Sequence, residues 1–130
     1  MMNKNIVCWF EIYVNDMPRA KAFYEKVLKQ TLTRIDSPDV KENFPQPEMW
    51  AFSMEERPGA SGAICKMEGV EAGGNSTLVY FDCEDCAVEQ ARVEPAGGKV
   101  IMPKMAIGEY GYIVIASDTE GNSIGFHSMK

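Results

Sequence analysis

Apolar and polar residues change their spacing near the start of the chain. Over Ile6–Val14 β-branched and aromatic residues predict a β-strand, in which Trp9, Glu11 and Tyr13 share one face and Phe10, Ile12 and Val14 share the other. The apolar spacing then lengthens to three and four residues, and Asp16 stands where a helix N-cap is expected. The pattern therefore predicts a helix over Pro18–Lys29, with the proline in its first turn.

The rest of the chain continues with short β-rich segments and a second helical segment. In the first half, strands are predicted at Thr31–Ile35, Met49–Met54 and Gly62–Met67. Proline, glycine and charged residues predict loops at Asp36–Pro47 and Glu55–Gly59, and a glycine-rich link at Glu68–Asn75. After the link, a strand, a helix and three further strands are predicted at Thr77–Cys83, Cys86–Glu94, Lys99–Met102, Tyr110–Ala116 and Ser123–Phe126.

The two halves have the same order of elements, strand–helix–strand–strand–strand. Their helix caps, Asp16 and Asp85, lie 69 residues apart. Such a repeat predicts two copies of one βαβββ module, about 5–68 and 76–129, within a single domain. We expect an α+β fold in which both modules form a curved mixed sheet around a cleft, with the helices outside.

Composition and charge narrow the range of partners. The chain has 130 residues, of which 45% are hydrophobic and 25% charged, as in ordinary globular domains. Its net charge of −6 repels nucleic acid and anionic lipid and attracts small cations. The apolar runs are far shorter than a membrane span, so no membrane segment and a cytoplasmic location are expected.

Four cysteines are too few for a disulfide scaffold in a chain of this length. Cys83 and Cys86 form a C-x-x-C motif, for which a redox dithiol is one interpretation. The acidic residues around them raise thiol pKa values, whereas a redox cysteine needs a lowered one. The motif also supplies only half of a zinc ligand set. We favour simple packing at the edge of the core.

The alternation of the strands places one set of side chains toward the cleft. These are Trp9, Glu11, Tyr13, Ala63, Cys65, Met67, Leu78, Tyr80, Asp82, Ser123, Gly125 and His127. Trp50 and Tyr110 are expected at the rim. An aromatic cleft with a few polar groups is typical of a small-molecule site, with Trp9, Tyr13, Trp50, Cys65, Tyr80 and Tyr110 as its ligand-binding residues.

Glu11 is the main catalytic candidate. A carboxylate among aromatic rings should have a raised pKa, which suits either a general base or the counter-ion of a cationic ligand. A purely structural Glu11, hydrogen-bonded to a tyrosine hydroxyl or a backbone amide, is the alternative. His127, the sole histidine, is either its acid/base partner or a structural residue near the C-terminus. Cys65 as a nucleophile lacks an identifiable base.

Three motifs resemble the glyoxalase/bleomycin-resistance/dioxygenase family, also called the vicinal oxygen chelate superfamily. Residues 11–24 (EIYVNDMPRAKAFY) resemble its opening, residues 96–100 (AGGKV) the exit from its second helix, and residues 118–124 (DTEGNSI) its closing turn and last strand. The resemblance covers nearly the whole chain. The family's fold hosts isomerases, dioxygenases, thiol transferases and drug-binding proteins, so the resemblance leaves the function open.

The resemblance also identifies the positions that bind a metal in the family's metal-dependent members. They correspond here to Trp9, Cys65, Leu78 and Gly125. Three of the four have no metal-binding atom, and a lone thiolate does not replace the lost ligands. We therefore expect no catalytic metal at the usual site and no cofactor, which argues against the metal-dependent chemistry of a lactoylglutathione lyase.

Two hypotheses remain. The first is a protein that binds a small, cationic or aromatic molecule without chemistry. The second is a metal-independent lyase or isomerase, related to lactoylglutathione lyase, with Glu11 as general base and His127 or Tyr80 assisting. A metal-dependent enzyme with relocated ligands ranks last. The resemblance further implies a homodimer whose clefts combine modules of both chains.

Overall fold

The computed structural model describes residues 5–36, 46–56, 59–74 and 77–130. Its elements in chain order are β1 (Val7–Tyr13), α1 (Met17–Leu28), β2 (Thr33–Ile35), β3 (Glu48–Ala51), β4 (Ser61–Lys66), β5 (Thr77–Asp82), α2 (Cys86–Val93), β6 (Lys99–Ala106), a 3-10 helix (Gly108–Tyr110), β7 (Tyr112–Ser117) and β8 (Ser123–Ser128). The predicted α+β fold with two βαβββ modules is confirmed. Most of the loop 36–47, and Pro58 and Asn75 of the other predicted connections, lie outside the described residues.

The strands of both modules join in one continuous sheet. Among the described residues it has eight strands in the order β2-β3-β4-β1-β5-β8-β7-β6. In each module the first strand is parallel to the last, β1 to β4 and β5 to β8, and the other pairings are antiparallel. The two modules meet through the antiparallel pair β1·β5, so they are related by an approximate twofold rotation within the chain.

Both helices begin at the predicted caps. The side chain of Asp16 accepts a hydrogen bond from the Arg19 amide, and that of Asp85 from the Ala87 amide, each at 3.0 Å. An extended residue with a short polar side chain satisfies amides that have no partner within the helix. The equivalent caps fix equivalent helix starts, which explains why the repeat is readable in the sequence.

Several predicted strand bounds are wrong; β3, for example, was expected to end at Met54 but ends at Ala51. β6 was expected to end at Met102 but continues to Ala106, through Pro103. The strand tolerates a proline because it lies at the edge of the sheet and its register is irregular between Met102 and Met105. β7 begins at Tyr112 because the residues before it form the 3-10 helix.

Two small cores pack on opposite faces of the first module's sheet. Val14, Met17, Leu32 and Ile64 pack on the side of α1. Met49, Ala51, Ala63 and Cys65 pack on the opposite side, beneath Trp9 and Tyr13. The sheet thus has one face covered by helices and one face turned toward a cavity. No helix within the described residues is long and apolar enough to cross a membrane.

Candidate active site in the sheet cavity

A cavity of about 770 Å³ lies against the face of the sheet that the helices leave uncovered. Its walls come from both modules, which here belong to one chain. The first module contributes Trp9, Glu11 and Tyr13 among others, and the second contributes Leu78, Tyr80, Asp82, Met102, Met105, Tyr110, Ile113, Ile115 and His127. The lining is mostly apolar and aromatic, and the volume suits a small organic molecule.

Glu11 is the buried carboxyl group of this cavity. It lies on β1, is only 8% exposed, and pairs with Ala63 on one side and Leu78 on the other. The indole Nε1 of Trp9 donates to Oε2 at 3.1 Å, and the hydroxyl of Tyr13 donates to Oε1 at 2.8 Å. Residues two positions apart on a strand share a face, so one strand builds the whole arrangement.

Burial governs the electrostatics of Glu11. Loss of water around the carboxylate raises its pKa, and the hydrogen bonds from Tyr13 and Trp9 offset this only in part. Burial, together with the nearby Glu11 charge, also raises the pKa values of Tyr13, Cys65 and Tyr80. These groups therefore stay protonated at neutral pH, and the Cys65 thiol is unsuited to act as a nucleophile.

Tyr80 and Gly125 fit together in the second module. They are register partners on the parallel strands β5 and β8. A Cβ atom on residue 125 would collide with the Tyr80 ring. The aromatic ring therefore occupies the space that any side chain at position 125 would need.

Three potential metal ligands meet beside this pair, two of them two residues further along β5 and β8 and the third on β1. The thiol sulfur of Cys8, a carboxylate oxygen of Asp82 and a ring nitrogen of His127 lie within 4.8 Å of one another. All three residues line the cavity. The Nε2 atom of His127 lies 2.5 Å from the carbonyl oxygen of Tyr110.

Six of the eight predicted site residues line the cavity, namely Trp9, Glu11, Tyr13, Tyr80, Tyr110 and His127. The other two do not. Cys65 is fully buried in the core beneath the cavity floor. Trp50 was expected at the rim but pairs with Ile64 and packs on the α1 side, with the Lys21 ammonium 4.9 Å from its ring centre.

Sequence reasoning missed several residues of the cavity wall, among them Cys8, Met102 and Met105. Cys8 was assigned no role, yet an irregular register between Val7 and Trp9 in β1 brings it to the cavity wall. Met102 was expected in a strand but not in the cavity, and Met105 lies beyond the expected end of that strand; both line the wall from either side of Pro103. The sequence carries no clear signal for this, because a proline usually ends a strand.

The surroundings of the C-x-x-C motif favour packing over redox chemistry. None of the four cysteines, all within the described residues, forms a disulfide. Burial and the neighbouring Glu89 raise the pKa of the Cys83 thiol to about 12. Cys86 is fully buried at the start of α2. A thiol that stays protonated is a poor nucleophile, in agreement with a packing role.

Residues 6–126 match the family described as the Glyoxalase/Bleomycin resistance protein/Dioxygenase superfamily. The chain belongs to this superfamily. The match covers both βαβββ modules, so the resemblance drawn from the three motifs is confirmed. No curated protein matches the sequence of this superfamily member.

Solved structures similar to this superfamily member support the fold. The methylmalonyl-CoA epimerase of Mycobacterium tuberculosis has a TM-score of 0.64 and 12% identity, covering 100% of this chain and 93% of that chain. A Streptomyces coelicolor methylmalonyl-CoA epimerase in complex with 2-nitronate-propionyl-CoA has a TM-score of 0.63 and 13% identity, covering 97% and 98%. A hypothetical protein of Methanosarcina mazei has a TM-score of 0.55 and 15% identity, covering 99% and 95%. At such identities the likeness concerns the fold alone.

The residues at the positions used by the superfamily's metal-dependent members do not fit a metal ion. Trp9, Leu78 and Gly125 offer no ligand atom, and Cys65 is buried outside the cavity. The ring of Tyr80 also fills the space beside Gly125. We therefore derive no reaction step through a metal at that position.

Proposed function

We propose that this protein binds a small cationic, aromatic molecule in the sheet cavity, with Glu11 as its counter-ion. The observation that carries the proposal is a carboxyl group, 8% exposed, in the wall of a largely apolar cavity of about 770 Å³. A buried carboxylate is costly unless an opposite charge approaches it. A cationic guest supplies that charge and is attracted by the net charge of −6.

The aromatic lining supports the same class of guest. Trp9, Tyr13, Tyr80 and Tyr110 line the cavity. The faces of such rings attract organic cations, and their flat surfaces stack on planar groups. The hydrogen bonds from Trp9 and Tyr13 fix the orientation of the Glu11 carboxylate before a guest arrives. A preoriented carboxylate loses little conformational entropy on binding.

Two probes of the same shape test the proposal. Phenyltrimethylammonium carries a positive charge, and tert-butylbenzene is its uncharged counterpart. At an effective dielectric constant of about 20, a contact between unit charges at about 4 Å contributes about 4 kcal/mol before desolvation. We therefore expect the ammonium probe to bind at least about tenfold more tightly, which requires only about 1.4 kcal/mol.

The variants assign that preference to one residue. Glu11→Gln keeps the shape of the side chain and should abolish the preference for the charged probe, as measured by calorimetry. Glu109→Gln, which alters an exposed carboxyl group of the same cavity wall, should retain it. Equal binding of both probes to the unaltered protein, or a preference that survives Glu11→Gln, would contradict the proposal.

Proton transfer by Glu11 is the alternative function. Its raised pKa brings a carboxyl group closer to the range in which a general base works well near neutral pH. The methylmalonyl-CoA epimerases of similar fold are enzymes, which favours testing a metal-independent lyase or isomerase. The two functions are distinguished by incubating the protein with a small carbonyl compound in heavy water. NMR then measures whether the proton on the carbon next to the carbonyl group exchanges with deuterium. An enzyme exchanges it and loses the activity in Glu11→Gln, whereas a binding protein shows no exchange.

A further inference from the structure

Cys8, Asp82 and His127 form a compact group of three different metal-ligating side chains. They come from β1, β5 and β8, which are adjacent in the sheet. One ligand atom of each lies within 4.8 Å of the others. Residues from three distant parts of the chain thus meet in one wall of the cavity.

The sheet backbone holds this group in place from both sides. Asp82 and His127 are register partners, and the amide of Cys83 donates to the His127 carbonyl at 2.8 Å. The amide of Asp82 donates to the Ile6 carbonyl at 2.7 Å, which ties β5 to the start of β1. Ligands carried by paired strands keep their relative positions better than ligands carried by loops.

The hydrogen bond of His127 prepares the imidazole for coordination. Its Nε2 atom lies 2.5 Å from the Tyr110 carbonyl, an acceptor, so Nε2 carries the proton in the neutral ring. The other ring nitrogen, Nδ1, then keeps its lone pair. A bond from the second ring nitrogen to a backbone carbonyl is the usual support of a metal-binding histidine.

The chemistry of the three ligands selects the ion. A thiolate, an imidazole and a carboxylate together suit Zn²⁺, whereas Mg²⁺ and Ca²⁺ prefer oxygen ligands. The ligand atoms of tetrahedral Zn²⁺ lie about 3.5 Å apart, whereas the three atoms here lie within 4.8 Å of one another. Side-chain shifts of about 1 Å would bring them to the distances that the ion requires. The thiol now donates to the Tyr80 carbonyl at 3.7 Å and would release its proton to water when the ion binds.

We propose that Cys8, Asp82 and His127 bind one Zn²⁺ ion, with its fourth coordination position open to the cavity. The two negative ligands balance the charge of the ion. Asp82 and His127 lie two residues along β5 and β8 from the Tyr80–Gly125 pair, of which Gly125 stands at one of the superfamily's usual ligand positions. This proposal does not depend on the proposed counter-ion role of Glu11.

Zinc and cobalt titrations of the metal-free, reduced protein test the site. In competition with a chromophoric chelator, we expect one Zn²⁺ per chain. Co²⁺ should give a thiolate-to-metal charge-transfer absorption. Cys8→Ser should remove this absorption and weaken Zn²⁺ binding at least about 100-fold. Cys83→Ser, which changes a partly buried thiol outside the cavity lining, should leave both unchanged.

His127→Gln provides a second, independent variant, and circular dichroism checks that each variant is folded. The Zn²⁺ affinity of His127→Gln should fall by a factor similar to that expected for Cys8→Ser. The charge-transfer absorption of its Co²⁺ complex should also weaken. The proposal is overturned if the unaltered protein binds no stoichiometric Zn²⁺, or if Cys8→Ser and His127→Gln bind it as tightly as Cys83→Ser does. Binding of phenyltrimethylammonium to the metal-free protein is measured separately, so that a failure of one proposal is distinguishable from a failure of the other.

Discussion

Replacing Glu11 by glutamine should change how the stability of the protein depends on pH. The substitution removes an ionisable group and keeps its size. The new amide oxygen accepts from the Trp9 indole, and the amide NH₂ donates to the hydroxyl oxygen of Tyr13, so each partner keeps one hydrogen bond to residue 11 although the Tyr13 O–H no longer donates to it. The main physical difference is therefore that glutamine never carries a buried negative charge.

The sign of the effect follows from the raised pKa of Glu11. The ordinary value is 4.5, and burial raises the value in the folded chain. Between the two values the unfolded chain has lost a proton that the folded chain keeps. The free energy of unfolding then falls by up to about 1.4 kcal/mol per pH unit. This contribution is complete below the unfolded-state value and is lost as the pH rises through the folded-state value.

Urea unfolding followed by circular dichroism, from about pH 4 to about pH 8, measures the effect. Relative to the unaltered protein, Glu11→Gln should gain stability as the pH rises, with a slope of up to about 1.4 kcal/mol per unit until the folded-state pKa is passed. Glu68→Gln removes one exposed charge and should show no comparable gain. The free energy of unfolding is plotted against pH for Glu11→Gln and for the unaltered protein. If the two plots stay parallel over the whole range, the pKa of Glu11 is not raised.

Two further substitutions test the packing and the second helix cap. Gly125→Ala should destabilise the protein by about 1–3 kcal/mol in urea unfolding, since its Cβ atom would meet the Tyr80 ring; a cost that persists in a Tyr80→Ala background would show that the reasoning is wrong. Asp85→Asn keeps an acceptor for the Ala87 amide but loses the ion pair with Lys104 at 2.8 Å. Because Lys104 lowers the pKa of Asp85 below 3.8, the pair stabilises the protein above that value and is lost as the pH falls. The free energy of unfolding of Asp85→Asn should therefore fall less as the pH is lowered. An acid transition identical to that of the unaltered protein would contradict this.

The fold was predictable because its signals are local and occur twice. Asp16 and Asp85 mark both helix starts, and the strand alternation around them gives each module's first strand. The order of the modules follows from the repeat, whereas the strand order within the sheet was not predicted. The end of β6 was not predictable, since a proline usually ends a strand and the exception depends on a position at the sheet edge.

The site was only partly predictable, because the face of the sheet that a residue occupies depends on how its strand pairs with the neighbouring strands. Glu11 follows from simple alternation along β1. Trp50 lies on the opposite face of the sheet from the cavity because it pairs with Ile64, and this pairing is not apparent in the sequence. Cys8 reaches the cavity wall through an irregularity beside Trp9, and such an irregularity depends on the partner strand.

The pairing of β1 with β5 places both walls of the cavity in one polypeptide. The described residues of one chain thus supply both walls of the cavity. For the proposed guest, we expect saturation to follow a simple hyperbola with one guest for each chain. A half-saturating concentration that changes when the protein is diluted would indicate that binding is linked to the homodimer implied by the family resemblance.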